Sequence, residues 1–324
     1  MKRIRRWLFA ACMGAAGLGL SLAASAQDYP QRPVRIIVAY PAGQAVDVLT
    51  RYVAEELNRA TGGNFFIDNR VGAGGNIGTA DAARAQPDGY TLVMGTNGTH
   101  AMNPYLYAST GFDAAKDFEP IILVGTFPMV LAAPASSPLQ DLRGVLAAVK
   151  QNPKAADVAL PSTTARLVLE LMRSGTQSEL FGVPYKGSAA AATDVLGGQL
   201  PLLIDTVSAV RPFIAAGKLR PLAVSSAKAS MLLPGVSSMR DQGIEGMDVV
   251  AWDGLYAPRG TPAAIVRKLN ETVARILARP EARRKLAEMG FEAGGGTPEQ
   301  FGAFTLAEQK RWGPLIAQAG LRAE

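Results

Sequence analysis

The 324-residue chain carries 33 Lys and Arg against 27 Asp and Glu, with a single histidine, His100, and a single cysteine, Cys12. A lone cysteine excludes an internal disulfide, and a lone histidine without a cysteine cluster excludes the usual zinc ligand sets. Four cations of the +6 net charge fall in residues 1–26, which hold no acid, so the charge drops to +2 beyond them and makes no case for nucleic acid.

Lys2, Arg3, Arg5 and Arg6 precede an apolar run from Trp7 to Leu22, and Ala24-Ser25-Ala26 follows as a small-residue cleavage signal. This is the layout of a secretory signal peptide over residues 1–26, with cleavage expected before Gln27. An uncleaved membrane anchor fits less well, because the run is rich in Ala and Gly. A lipoprotein at Cys12 also fits less well, because the apolar stretch before it is short and Phe9 suits that signal poorly. About 298 residues follow, enough for two α/β domains whose cores need no disulfides. No second long apolar run occurs, so a soluble mature protein in a Gram-negative periplasm is expected.

Val34–Ala39 reads as a buried strand, and Val46, Leu49, Val53 and Leu57 recur at helical spacing. Tyr40–Asp47 is the short Pro/Gly loop between them. In open α/β sheets ligands sit beyond the carboxyl ends of the strands, against helix N-termini. Their free N–H groups and partial positive charge suit an anion. Asp47 falls in the first turn, where a carboxylate can also cap those amides. The same stretch reads equally as an ordinary βα connection.

Phe65–Asp68 is a second strand, a helix spans about 79–85, and Thr91–Gly95 is a third strand after the Pro87–Tyr90 turn. The glycines at 72, 74 and 78 miss the dinucleotide-binding spacing. From Pro128 the rhythm starts afresh, with strands at Met129–Ala133, Val158–Leu160, Leu200–Asp205 and Pro221–Ser225. Helices are expected at Leu139–Gln151, Arg166–Ser174, Ser188–Leu196 and before Gly217. After Trp252–Ala257 helical patterns dominate to the end, through Ile265, Leu269, Val273 and Ile276 and then Phe301, Phe304 and Trp312. The expected organisation is a first lobe over 27–126, a second over 127–249, and a return of 250–324 to the first. Two crossovers then leave a hinge and a cleft.

Catalytic candidates are few. His100 has no evident partner and reads as structural, no thiol nucleophile or G-x-S-x-G elbow occurs, and Asp47, Asp205 and Asp253 are too scattered to propose a metal cage. What recurs is a Gly, Ser or Thr loop at the carboxyl end of a strand: Ala42-Gly43, Thr96-Asn97-Gly98-Thr99, Ser162-Thr163-Thr164 and Lys186-Gly187. Such loops offer backbone N–H and hydroxyl donors to an anion. Binding without catalysis, cofactor or metal is therefore expected. Tyr40 and Trp252 could wall the cleft, although Trp252 reads equally as core or hinge packing.

The stretches YPQRPVRIIVAYPAG, IDNRVGAGGNIG, PDGYTL, NPYLY, DFEPI, VPYKG, GGQLPLLID, GKLRPLAV, LPGV, AWDGLYAPRGTP and VRKLN occur in this order. In sequence and spacing they resemble the Bug proteins, the substrate receptors of tripartite tricarboxylate transporters, over essentially the whole mature chain. The resemblance implies an α/β fold of the two-lobed type II periplasmic-binding-protein kind, closing on a small carboxylate. It implies a membrane permease as partner and a monomer in solution. It also implies that Tyr40, Ala42, Gly43, Gln44 and Asp47 of one loop and Tyr185, Lys186 and Gly187 of another hold the carboxylate through backbone amides, often with ordered water. Further contacts are implied from Thr96, Asn97, Ser162, Thr163 and Arg166, and near Asp205.

Two departures stand out. Gly43-Gln44 occupies the place of a usual Gly-Gly pair, and VALPSTTARL puts Arg166 where the family has His. Gln44 could add a side-chain amide, Pro161 stiffens the second loop, and Arg166 could pair with a second anionic group of the ligand. Arg166 also reads as a solvated arginine on a helix face. Two other functions stay open at this point: a sensory module serving a membrane kinase, and an enzyme on the same fold.

Overall fold

Residues 29–152 and 156–322 are described in the computed structural model; the expected signal segment 1–26 and its cleavage point lie outside them. The first strands are β1 (Val34–Val38), β2 (Phe65–Asn69) and β3 (Thr91–Thr96), with helices α1 (Ala45–Thr61) and α2 (Asn76–Ala83) between them. Val46, Leu49, Val53 and Leu57 of α1 are buried, as their spacing requires. A short helix α3 (Asn103–Leu106) leads to β4 (Phe118–Pro134).

The next elements are α4 (Leu142–Gln151), β5 (Val158–Leu160), α5 (Thr163–Thr176), β6 (Gly182–Pro184), α6 (Ser188–Leu196), β7 (Leu202–Thr206), α7 (Val207–Ala215) and β8 (Leu219–Val224). The chain then returns through β9 (Val250–Pro258), α8 (Ala263–Ala278), α9 (Pro280–Glu288), β10 (Glu292–Gly295) and α10 (Pro298–Gln318). Strand order is β2-β1-β3-β9-β4-β7-β5-β6, with β8 and β10 also paired to β4.

The sequence places a strand start at Met129, but β4 begins eleven residues earlier, at Phe118. Pro120, Gly125 and Pro128 mask the strand in sequence, because prolines cannot donate to the ladder and glycine packs no side chain. Phe118–Pro128 pairs with β9, and Met129–Pro134 pairs with β7 and β8. One strand thus runs through both α/β halves. β10 was also invisible, since Glu-Ala-Gly-Gly has no strand-forming composition. It fits because a Cβ on Gly294 would stand 2.3 Å from the Leu123 carbonyl oxygen, a spacing only glycine allows.

β9 alternates between two cores. Ala251, Leu255 and Ala257 join the cluster with α1 and α8, while Trp252 and Tyr256 join the cluster with α10. Trp252 is fully buried against Phe301 and Phe304, so it is core and not cleft wall. Its Nε1 donates to Glu308 of α10 at 3.1 Å, which binds α10 to β9, and Trp312 Nε1 of α10 itself donates to the same carboxylate at 2.8 Å.

The chain passes between halves at Pro128–Met129 and at Val249–Val250, and buried Ser225 joins the two crossings. Its N–H donates to the Met129 carbonyl at 2.9 Å and its carbonyl accepts from the Val249 N–H at 2.8 Å. Its hydroxyl accepts from the Met129 N–H at 2.9 Å and donates to the Val249 carbonyl at 2.6 Å. Ser225→Ala should leave two buried backbone groups unpaired and cost about 1–3 kcal/mol for each. Denaturant unfolding of the mature protein measures this; a loss under about 0.5 kcal/mol would show that the hydroxyl does not hold the crossings.

Candidate ligand-binding cleft

Loop 40–47 is held from within. Buried Asp47 accepts from the Gly43 N–H at 2.8 Å, from Arg51 Nε and Nη2 at 2.9 and 3.0 Å, and from Asn69 Nδ2 at 2.9 Å. Asn69 also donates to the Tyr40 carbonyl at 3.0 Å. Burial alone would raise the Asp47 pKa, but Arg51, the Gly43 amide and Asn69 together hold it below the usual carboxylate range. Asp47 therefore organises the loop, and the Gly43 amide expected to face a ligand is taken by it. The donors left are the first-turn amides of α1, whose N-cap Gln44 makes no side-chain cap.

Tyr40 is half-buried, its hydroxyl 3.1 Å from Thr96 Oγ1, and burial pushes its pKa up to about 12. Thr96 and Thr99 close a tight turn by mutual bonds, the Thr96 N–H donating to Thr99 Oγ1 at 3.1 Å and the Thr99 N–H to Thr96 Oγ1 at 3.2 Å. His100 lies behind this turn, stacked on Tyr256 with centroids 4.1 Å apart, its Nδ1 2.9 Å from Thr99 Oγ1. Burial drives its pKa down to about 3, so it is neutral and packed on the α10 side, as a structural residue would be.

Asn97 reaches the second half, its Nδ2 donating to Thr164 Oγ1 at 3.1 Å. Thr164 thus makes the contact that the sequence left unassigned within Ser162-Thr163-Thr164. Ser162 is occupied as the N-cap of α5, accepting from the Ala165 N–H at 3.2 Å, and Thr163 is half-buried beside it. Arg166 is half-buried one turn along α5. It makes no ion pair among the described residues, and its charge is felt by the Tyr107 hydroxyl of the first half.

Across the cleft, the Tyr185 hydroxyl donates to Asp194 at 2.6 Å, and this bond with burial raises its pKa to about 12. Lys186 is exposed. Gly187 precedes α6, whose N-terminus has no side-chain cap either. Gln44 Nε2 lies 3.3 Å from where a Cβ on Gly187 would stand, so the heads of α1 and α6 face each other. Between them opens a cavity of about 630 Å³, walled by Gly43, Gln44 and Ala45 of one half and Ser188, Ala189 and Arg211 of the other. A second cavity of about 470 Å³ lies under residues 104–115, away from these donors.

Two buried carboxylates flank this region. Asp205, at the end of β7, accepts from the Thr206 N–H at 2.7 Å and has the Ser188 hydroxyl beside it. Burial pushes its pKa up to about 7. Asp253 of β9 stands opposite Thr96 in register, and burial raises its pKa well above the ordinary value. In sequence it is one scattered acid; the available signal was a charge inside the apolar run VAWDGLYAP. Among the described residues no group of three or more His, Cys, Asp or Glu is arranged to hold a metal. None of their helices is long and apolar enough to cross a membrane.

Two α/β halves on a shared strand, bringing two uncapped helix N-termini to one cavity, define a two-lobed protein of the periplasmic-binding type. A family model described as "Tripartite tricarboxylate transporter family receptor" matches residues 49–321. Similar solved structures include R. palustris Rpa4515 with adipate, 36% identical with a TM-score of 0.86 over 91% of this chain and 99% of that one. The periplasmic binding protein BugD is 32% identical, with a TM-score of 0.83 over 91% of this chain and 100% of its own. MatC from Rhodopseudomonas palustris, with bound malate, is 29% identical with a TM-score of 0.80, covering 89% and 100%. The chain belongs to the tripartite tricarboxylate transporter receptor family.

The Asp205 pKa sets a pH dependence. Raised in the fold, the group binds its proton more tightly there than when unfolded. Its contribution is full below about pH 4 and is lost as pH rises through about 7, a change on the order of 4 kcal/mol. Asp205→Asn should therefore raise the melting temperature more at pH 8 than at pH 5. Parallel melting curves for variant and parent across that window would contradict the assignment.

Proposed function

We propose that the protein is a periplasmic receptor that captures a small carboxylate between its lobes and delivers it to the membrane permease of a tripartite tricarboxylate transporter. The observation that carries this is the meeting of two helix N-termini, α1 and α6, one from each half, at a single cavity. Each presents first-turn N–H groups and a partial positive charge, which suit a carboxylate and offer no bond-making chemistry. Adipate in Rpa4515 and malate in MatC support the same ligand class here. The lone histidine, neutral and packed on the far side of the sheet, speaks against an enzyme.

Export would follow from the signal segment, with cleavage before Gln27 leaving a soluble monomer. The lobes, taken as 27–126 with 250–324 and as 127–249, would turn about the crossings at 128–129 and 249–250. A ligand touching both favours the closed arrangement. In this reading the first-turn amides behind Ala42–Gln44 and those behind Tyr185–Gly187 hold one carboxylate. Thr96, Asn97, Ser162, Thr163 and Asp205 line the remainder.

A thermal-shift screen of the mature protein against metabolite acids and their methyl esters tests the reading. An acid at a hundred times its dissociation constant should add about 2.7 kcal/mol, and its ester far less. Equal stabilisation by acid and ester would remove the carboxylate from the proposal.

Arg166 supplies a finer test. A half-buried guanidinium without a carboxylate partner can take a second acid group in a bidentate pair. Calorimetry on Arg166→Ala and Arg166→Gln should show a loss of about 1.5–3 kcal/mol for dicarboxylates and little for monocarboxylates. The same loss for both classes would return Arg166 to the surface.

A further inference from the structure

One buried acid, Asp253, is used neither by the fold nor by the carboxylate reading. Asp253 is 1% exposed, and among the described residues no group donates to its Oδ2. Its position in β9 fixes where it points. Ala251, Leu255 and Ala257 share its side of the strand and join the cluster covered by α1 and α6, whereas Trp252 and Tyr256 face α10. Asp253 is therefore on the α1 side of the sheet, opposite Thr96 in register and close enough to Tyr40, at the start of the binding loop, to act on its hydroxyl. That hydroxyl is bonded to Thr96, so Tyr40 does not satisfy the carboxylate.

The second half presents a counterpart. Asp205 is also 1% exposed, stands beside Ser188 of the cavity wall, and has no partner for its Oδ2 among the described residues. Both oxygens are held out of water without a donor, near a cavity into which two helix N-termini present N–H groups. A plain mono- or dicarboxylic acid, ionised, brings only acceptors and leaves these oxygens unpaired. A ligand with an N–H or O–H donor on its chain removes the cost of leaving the acceptors unpaired.

We propose that Asp253, with Asp205 across the cleft, selects carboxylates that carry a hydrogen-bond-donating substituent, a hydroxyl or an ammonium group, over the plain acid of the same length. The proposal rests on the carboxylate-receptor reading and narrows it. Discrimination of this kind is strong, because a site built around a buried polar group rejects the analogue that leaves it unpaired.

The test uses the mature protein and sets of three- to six-carbon mono- and dicarboxylic acids, each plain, hydroxylated at C2 and aminated at C2, with affinities from calorimetry. The quantity read is the ratio of affinities, substituted over plain, at the chain length that binds best. We expect at least tenfold in the parent protein and a ratio near one in Asp253→Leu. Asp253→Asn keeps an acceptor oxygen without the charge. It should retain the ratio if the donor is a hydroxyl and lose it if the donor is an ammonium; Asp253→Ala replaces the leucine variant should that fail to fold.

A plain acid binding as tightly as its substituted partners in the parent would overturn the proposal. An unchanged ratio in both variants, even with weaker binding throughout, would overturn it as well. Either outcome leaves the carboxylate receptor standing. Absence of binding by every acid would remove both readings.

Discussion

Ser225 is where the mechanics of this molecule concentrate. Its N–H, carbonyl and hydroxyl together bond the two points at which the chain passes from one half to the other. Because β4 is continuous through one of those points, neither half can turn without bending a strand that belongs to both. Such a connection allows small rotation and resists separation, as a hinge of few residues between rigid sheets should. The site depends on it, since α1 hangs from β1 in one sheet and α6 leads into β7 in the other. Only the angle at the crossing decides whether their N-termini meet.

Three aspartates with similar burial behave differently, and donors make the difference. Asp47 receives an amide, a guanidinium and a carboxamide, and stays ionised while shaping the loop. Asp205 receives one backbone amide with a hydroxyl beside it, and its pKa rises. For Asp253 burial alone sets the direction. The series follows the rule that desolvation penalises a charge unless fixed dipoles replace the water it lost. The satisfied member lies inside the first lobe's framework. Of the two unsatisfied members, one stands beside Ser188 of the cavity wall and the other opposite Thr96.

Most of the elements were legible because apolar runs in α/β proteins are short, strongly patterned and separated by Gly and Pro. The gaps have specific causes. β4 was cut at Met129 by Pro120, Gly125 and Pro128, which local propensity counts against a strand although the β9 and β7 ladders hold it. β10 owes its existence to the fit of Gly294 against Leu123, which no composition displays. At the site, the loops were found by chemistry but not their internal bonding. The Gly43 amide looked free in sequence and is claimed by a residue four positions on. The placement of Asp253 beside Thr96 emerges only from the strand register, because strand pairing is a long-range fact.

The facing helix termini explain why binding and closure would be one event. A single surface terminus contributes about 0.3–1 kcal/mol to holding a charge, too little to trap a solute from dilute solution. Two termini gripping one carboxylate from opposite sides act in a narrow, drier space, where the same dipoles count for more. In the proposed closure only the closed arrangement would offer both, so the ligand would favour it. Gly187 then has a role beyond its backbone. A Cβ there would stand 3.3 Å from the Gln44 amide nitrogen, so a side chain would crowd Gln44 where α1 and α6 face each other. Gln44 and Gly187 thus stand where the two halves come closest at the mouth of the cavity.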